Sequence, residues 1–352
     1  MPPAGIFGID RDNWFSRRNN FIFPPKFVIN AFAMMTHTPS RTRDRLLLLG
    51  LLGLVGLGLA GLVSATGWAE TWAQISKLHV SLIAALLGLS MVNYGLRAVR
   101  WHLFARRLGL PLGFGANARH FIGGFAMSVT PGRVGELVRM RWIKRETGWA
   151  VERSAPLVLM DRASDLAAMA LLLAGAIVLA AGGIAGAAPV AILALVAAFV
   201  ATRPVLLTAL ITMIYRMTGR APRVFARARG AARLVARFSH GPTLALGLGA
   251  GLLGWAAEGY AFHLLLAAMG ADIGAAKAIA IFLFSTLAGG LTGAPGGLGG
   301  AEAAMVALLS LEGIPLDISI PATAVIRLTT LWFAIALGVA VFPLAERLSK
   351  KA

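Results

Sequence analysis

The chain is 352 residues long, 58% hydrophobic and only 14% charged, against roughly 45–50% apolar and about 25% charged in soluble domains; a water-soluble globular fold is excluded. Its 33 Lys plus Arg against 15 Asp plus Glu give a formal charge of +18. The basic residues fall between apolar runs, as in loops facing anionic headgroups, so the excess does not point to nucleic acid. No cysteine is present, which removes disulfides, thiolate nucleophiles and Cys-ligated metals from consideration.

Several apolar runs reach the roughly 18 residues a helix needs to cross a bilayer core, and no barrel-type alternation competes with them. Residues 1–45 are polar, irregular and without a cleavable signal; they read as a disordered cytoplasmic leader, with Met34 or Met35 as an alternative start. The first membrane half, 46–202, opens with spans over Leu46 to Thr66 and Val80 to Leu96. The second of these ends at Arg97, Arg100 and Trp101, read as basic and aromatic interface anchors. The run from Phe121 to Thr130 is too short to cross and stops at Pro131-Gly132, which predicts a re-entrant hairpin over 121–142. A third span runs from Ala155 to Ala181 and opens with Asp161, Arg162 and Asp165; a fourth runs from Ala188 to Thr202. Beyond Arg203-Pro204 the apolar run to Tyr215 either extends that span or lies along the interface.

Residues 203–241 read as a basic cytoplasmic linker, although Arg216, Arg220, Arg223 and Arg227 also recur as on a helix at headgroup level. The second half, 242–347, contains a span from Pro242 to Met269 with Glu258 inside it. A second expected hairpin, 278–311, is broken at Thr292 to Gly300, and a last span from Ile320 to Leu344 carries Arg327; residues 348–352 are a tail. The predicted fold is all-α: six full spans plus two re-entrant Pro-Gly hairpins, with both termini cytoplasmic by the placement of Lys and Arg.

The two hairpins share a pattern. Pro131, Gly132 and Gly135 with Arg133 and Glu136 in the first correspond to Pro295, Gly296, Gly297 and Gly299 with Glu302 in the second. Gly148 and Arg162 follow the first proline as Gly313 and Arg327 follow the second. Under the charge rule the hairpins enter from opposite sides, an inverted repeat of the kind found in alternating-access transporters. Against this stands chance recurrence of Pro-Gly pairs in a chain with 41 glycines.

Ionisable residues within apolar spans are candidates for function, because a partner or substrate must offset their desolvation. Arg97, Arg100, Arg133, Glu136, Arg139, Asp161, Arg162, Asp165, Glu302 and Arg327 form the candidate substrate-binding set, guanidinium being suited to bidentate contact with phosphate. The alternative is structural ion pairing of Arg162 with Asp165 or Glu136 and of Arg327 with Glu302, with Asp161 and Arg139 merely interfacial. The six histidines lack metal-ligand spacing, no catalytic motif or cofactor signature is found, and no base is aimed at Ser128 or Thr130.

On Asn93-Tyr94 with Arg97, Arg100 and Trp101, on Pro131 to Glu136 with Arg139, on Asp161-Arg162 with Asp165, and on Pro295 to Gly299 with Glu302 and Arg327, the chain resembles the flippase-like transmembrane domain of lysylphosphatidylglycerol synthases. The resemblance covers about residues 45–347 and implies a cytoplasmic-membrane protein of a bacterium or archaeon that moves an anionic or polar-headgroup lipid between leaflets. Membrane lipids, and a lipid-modifying enzyme, are the implied partners. Only eight residues follow Leu344, so no aminoacyl-transferase domain is expected to accompany it. Two other readings are an accessory subunit or enzyme of lipid modification, and a small-solute transporter.

Overall fold

The computed structural model describes residues 78–128, 137–179, 187–219, 222–238 and 240–351, with Gly53, Trp72, Ala73, Ser76 and Thr130. The leader, the expected first span, and the first elbow from Pro131 to Glu136 lie outside the described residues. Every regular element among the described residues is helical.

Helix α1 (Val80–Leu108) runs well past the expected Leu96 and closes on Gly109, with Arg106 and Arg107 in its last turn, where cations complement the helix dipole. Helix α2 (Phe114–Gly123) continues through a 3-10 turn (Gly124–Met127), and α3 (Val138–Thr147) returns alongside. Helix α4 (Val151–Leu179) and α5 (Ala187–Thr202) pack as a long antiparallel pair. At Arg203-Pro204 the chain turns by 97° into α6 (Pro204–Thr218), which settles the open question there: the apolar run does not extend α5 in a straight line. Proline at the first turn of α6 has no amide to lose and begins a new helix readily. Residues 203–241, expected as a linker, are thus largely helical, with α7 (Pro222–Leu234) following a left-handed Gly219. That break divides Arg216 from Arg223 and Arg227, which the spacing had placed on one helix.

Helix α8 (Gly241–Ala268) packs along α1. Glycines permit the approach: a Cβ at Gly254 would lie 2.7 Å from Asn93 Oδ1, and one at Gly247 would lie 2.7 Å from the Phe104 ring. Small residues at helix crossings are a main source of association where lipid supplies no hydrophobic drive. Helices α9 (Ala275–Leu291) and α10 (Gly300–Leu311) fold back on each other around Pro295–Gly297, where Gly296 and Gly297 have φ of 62° and 71°, a region that penalises any side chain. Helix α11 (Leu316–Arg327) passes through a π-helical turn (Leu328–Trp332) into α12 (Phe333–Lys351). Among the described residues, three helices have the length and composition to cross a membrane, Val80–Leu108, Val151–Leu179 and Leu316–Lys351, and the bent α5–α6 pair brings the number to at most four by that measure; α8 has 28 residues but is rich in glycine.

Basic residues gather at one end. Arg107 Nε donates to the Arg237 carbonyl at 3.2 Å, Arg237 lies against the Leu108 carbonyl, and Arg227 meets Glu152 at 3.3 Å. Arg141, Arg145, Lys350 and the Trp142 indole converge on Glu346, locking α3 to α12. The open ends of α2 and α3 are tied there by Arg119–Glu146 at 2.8 Å. The open ends of α9 and α10 are tied by Lys277–Glu312, at the other end of α8, where His263 faces Asp272.

Helix α12 passes the turn after α2 so closely that a Cβ on Gly338 would lie 2.2 Å from the Ala126 backbone nitrogen and 2.7 Å from the Phe125 carbonyl carbon. Backbone cannot retreat as a side chain can. Gly338→Ala is expected to lower the melting temperature of the detergent-solubilised protein, by an amount corresponding to about 1–3 kcal/mol. Gly88→Ala, with open space around it, is expected to leave the melt unchanged or raise it, since alanine favours helix.

Candidate functional site

A layer of buried charge crosses the helices near their middles. Arg97 and Arg100 come from α1, Asp161 and Asp165 from one face of α4, and Trp255 and Glu258 from α8; all are at least nine-tenths buried. Spacings of three or four residues put each pair on a single helical face. On α4 the layer is bounded by Leu157 and Met160 in one apolar cluster and by Ala168 and Leu173 in another.

Arg100 is fully buried and holds both aspartates: Nε and Nη2 donate to Asp161 Oδ1, and Nη2 also reaches Asp165 Oδ1 at 2.7 Å and the Asp161 carbonyl at 3.2 Å. Arg97 Nη2 donates to Asp165 Oδ2 at 2.7 Å, and the Trp255 indole N–H to Asp165 Oδ1 at 3.2 Å. Arg162, about one quarter exposed, closes the outer edge on Asp161 Oδ2 at 2.8 Å and Asp165 Oδ2 at 3.6 Å. The pairing of Arg162 with Asp165 is therefore present, but Asp161 is its nearer partner.

Three expectations are corrected here. Arg97, Arg100 and Trp101 are interior residues, not interface anchors, and Arg100 and Trp101 are inaccessible. Asp161 is fully buried, so the interfacial alternative for it fails. Arg139 is also fully buried, its guanidinium 4.6 Å from the Phe121 ring centroid and 5.2 Å from that of Trp101, distances at which cation–π attraction operates. Gly124 makes room for it, since a Cβ there would fall 2.1 Å from Arg139 Nε.

The second cluster is built on the elbow between α9 and α10. Arg327, on α11 and 5% exposed, donates through Nε to Glu302 Oε1 at 2.6 Å and through Nη2 to the Gly296 carbonyl at 3.0 Å. The expected Arg327–Glu302 pair is thus present, and the same side chain grips the turn backbone. Pro295, Gly297 and Gly299 shape that turn, while Arg133, Glu136, Pro131, Gly132 and Gly135 lie outside the described residues.

The two clusters meet at a cavity of about 50 Å³ lined by both Arg97 and Arg327. Tyr94, Ser128, Trp255, Glu258, Thr286 and Thr330 supply polar atoms to its wall, among Phe125 and Phe282. The Tyr94 hydroxyl donates to the Thr330 carbonyl, within the π turn, an irregularity often found at functional sites. Arg97 Nε is buried and has no hydrogen-bond partner among the described residues. Arg139 and Arg162 do not line the cavity. Tyr94, Trp255, Thr286 and Thr330 were absent from the candidate set, as was Glu258, an acid inside an apolar span whose position alone was a usable signal.

Residues 46–338 match the family model described as lysylphosphatidylglycerol synthase TM region. The chain belongs to that family. It is a multi-pass membrane protein, as the resemblance noted above implied. Two relatives from Methanothermobacter thermautotrophicus, both described as UPF0104 membrane proteins, are similar over shorter stretches: one is 34% identical over 100 residues, 28% of this chain and 30% of the relative. The other is 33% identical over 87 residues, 25% and 26% respectively. The chain thus matches less than a third of the length of either.

Removing one member of a buried pair strands the other charge. Asp161→Ala is expected to cost roughly 3–5 kcal/mol, seen as a large fall in melting temperature or loss of monodisperse protein. Glu152→Gln, which breaks the more exposed Arg227 pair, is expected to cost less than about 1 kcal/mol.

Proposed function

We propose that this protein moves a lipid with an anionic headgroup between the leaflets of the cytoplasmic membrane, with Arg97 and Arg327 as the groups that replace water around the headgroup. The observation that carries the reading is the cavity lined by both arginines. Its walls come from both halves of the chain: Tyr94, Arg97, Phe125 and Ser128 from the first, Trp255, Glu258, Thr286 and Arg327 from the second. Substrate sites at the interface between two repeats, beside broken helices, are the arrangement of alternating-access carriers. Left-handed Gly148 and Gly313, at matching distances from the two prolines, agree with a repeat. The opposite placement of the Arg119–Glu146 and Lys277–Glu312 ties agrees with its being inverted.

Chemistry favours an anion. The charged layer sets three guanidiniums, Arg97, Arg100 and Arg162, against three carboxylates, Asp161, Asp165 and Glu258. The reading therefore rests not on excess charge but on the Arg97 donor that has no partner among the described residues, which a phosphate can take. At about 50 Å³ the space is far below the roughly 300–1,000 Å³ of ligand pockets, so the described arrangement is a closed stage of the cycle. The basic end, with Arg107, Arg237, Arg227 and Lys350, faces the cytoplasm on this reading, which puts the C-terminus there as well.

Purified protein in vesicles containing a fluorescent phosphatidylglycerol is expected to expose the label to a membrane-impermeant quencher faster than empty vesicles do. Arg327→Gln is expected to slow this by roughly 10-fold or more, as loss of a charged hydrogen-bond donor implies, with Arg327→Lys in between. A rate equal to that of empty vesicles across anionic lipids would end the proposal. A covalent change in the lipid by mass spectrometry would replace it with an enzymatic one.

A further inference from the structure

The α6–α7 pair takes no part in the cavity. Helix α6 has no buried residue, and Val205, Leu206, Leu210, Met213, Ile214 and Met217 are exposed along it. Its threonines do not make it polar, because Thr208, Thr212 and Thr218 donate their hydroxyls to the carbonyls of Pro204, Thr208 and Ile214. This surface joins exposed Ile192, Leu193, Val196 and Phe199 of α5, and the 97° bend turns α6 toward the membrane plane if α5 crosses it. Helix α7 adds exposed Arg223, Arg227 and Arg233, and the two helices are held together by Tyr215 on Phe225 and by Arg229 near the Tyr215 ring.

Between them runs an open groove of about 540 Å³, with Val205, Ala209 and Met213 in its apolar wall and Arg216 and Arg233 beside them. No carboxylate lines it, and neither arginine is ion-paired among the described residues. We infer that this groove is a resident site for an anionic phospholipid, one acyl chain lying along Val205, Ala209 and Met213 and the phosphate held between Arg216 and Arg233. Two guanidiniums beside an apolar channel match that occupant at both ends: the fork binds phosphate oxygens, and the wall continues into the lipid-facing side of α5. The site is separate from the cavity and stands whether or not the cavity carries lipid.

The full chain is reconstituted with equal phosphatidylglycerol and phosphatidylcholine, extracted in mild detergent and examined by native mass spectrometry. Retention of one phosphatidylglycerol per chain in preference to phosphatidylcholine is expected. Arg216→Gln with Arg233→Gln should reduce it about tenfold, and Ala209→Trp, which fills the groove while leaving charge unchanged, should do likewise. Arg223→Gln, outside the groove lining, should not alter it. Equal retention of the two lipids, persistence in both groove variants, or an equal loss with Arg223→Gln would overturn the assignment.

Discussion

The fold depends on the layer in which Arg97 and Arg100 meet Asp161 and Asp165. Taking isolated charges of this size out of water costs on the order of 20 kcal/mol each in the idealised limit, so neither α1 nor α4 can bury its charges without the other. The layer therefore acts as a register lock. Sliding either helix by one turn, about 5.4 Å, would separate every one of these pairs. Packing of small residues then follows the register: Gly251 of α8 lies opposite Arg100 and Ala168, where a Cβ would be 3.1 Å from Arg100 Nη1 and 2.9 Å from the Ala168 methyl.

The same logic explains why the second cluster is anchored to backbone. Helices α9 and α10 carry no charged residue midway along them, and Glu302 sits in the first turn of α10, so their elbow is fixed from close by, through Glu302 and through a carbonyl, that of Gly296, exposed where the helix is broken. A broken helix leaves carbonyls that no amide of its own satisfies, and Arg327 satisfies one. The π turn immediately after Arg327 frees another, on Thr330, which Tyr94 of α1 satisfies. Two irregularities that would be costly in lipid are thus both resolved by side chains lining the same cavity.

Much of this was legible in one dimension. Composition gave the membrane class, the apolar runs placed the helices to within a turn or so at most ends, and charges inside apolar runs named Asp161, Asp165 and Arg327. Arg97 and Arg100 were in the candidate set, but were also read as interface anchors, because an arginine after an apolar run looks the same whether the helix next meets headgroups or protein. Only the packing of Trp101, Phe104 and Leu108 against α2 and Phe238 shows that α1 continues through an interior. Glu258 lies on the glycine-rich face that meets α1, a relation between distant segments that no periodicity in either one reveals. The bend at Arg203-Pro204 was signalled by proline, but its angle of 97° is not written in the residues around it.

Arg97 belongs to the charge layer through Asp165 and lines the cavity, whereas Arg327 belongs to the elbow through Gly296 and Glu302 and lines the same cavity. Any movement of the elbow that breaks the bond to Gly296 must therefore change what Arg327 offers the cavity, while Arg97 stays fixed by the register lock. An anion between them would compete with Glu302 and the Gly296 carbonyl for one arginine but not with Asp165 for the spare Nε of the other. On the proposed function, the asymmetry gives the two arginines different work: Arg97 would hold its donor in a fixed position, and Arg327 would tie the presence of a bound anion to the position of the α9–α10 elbow.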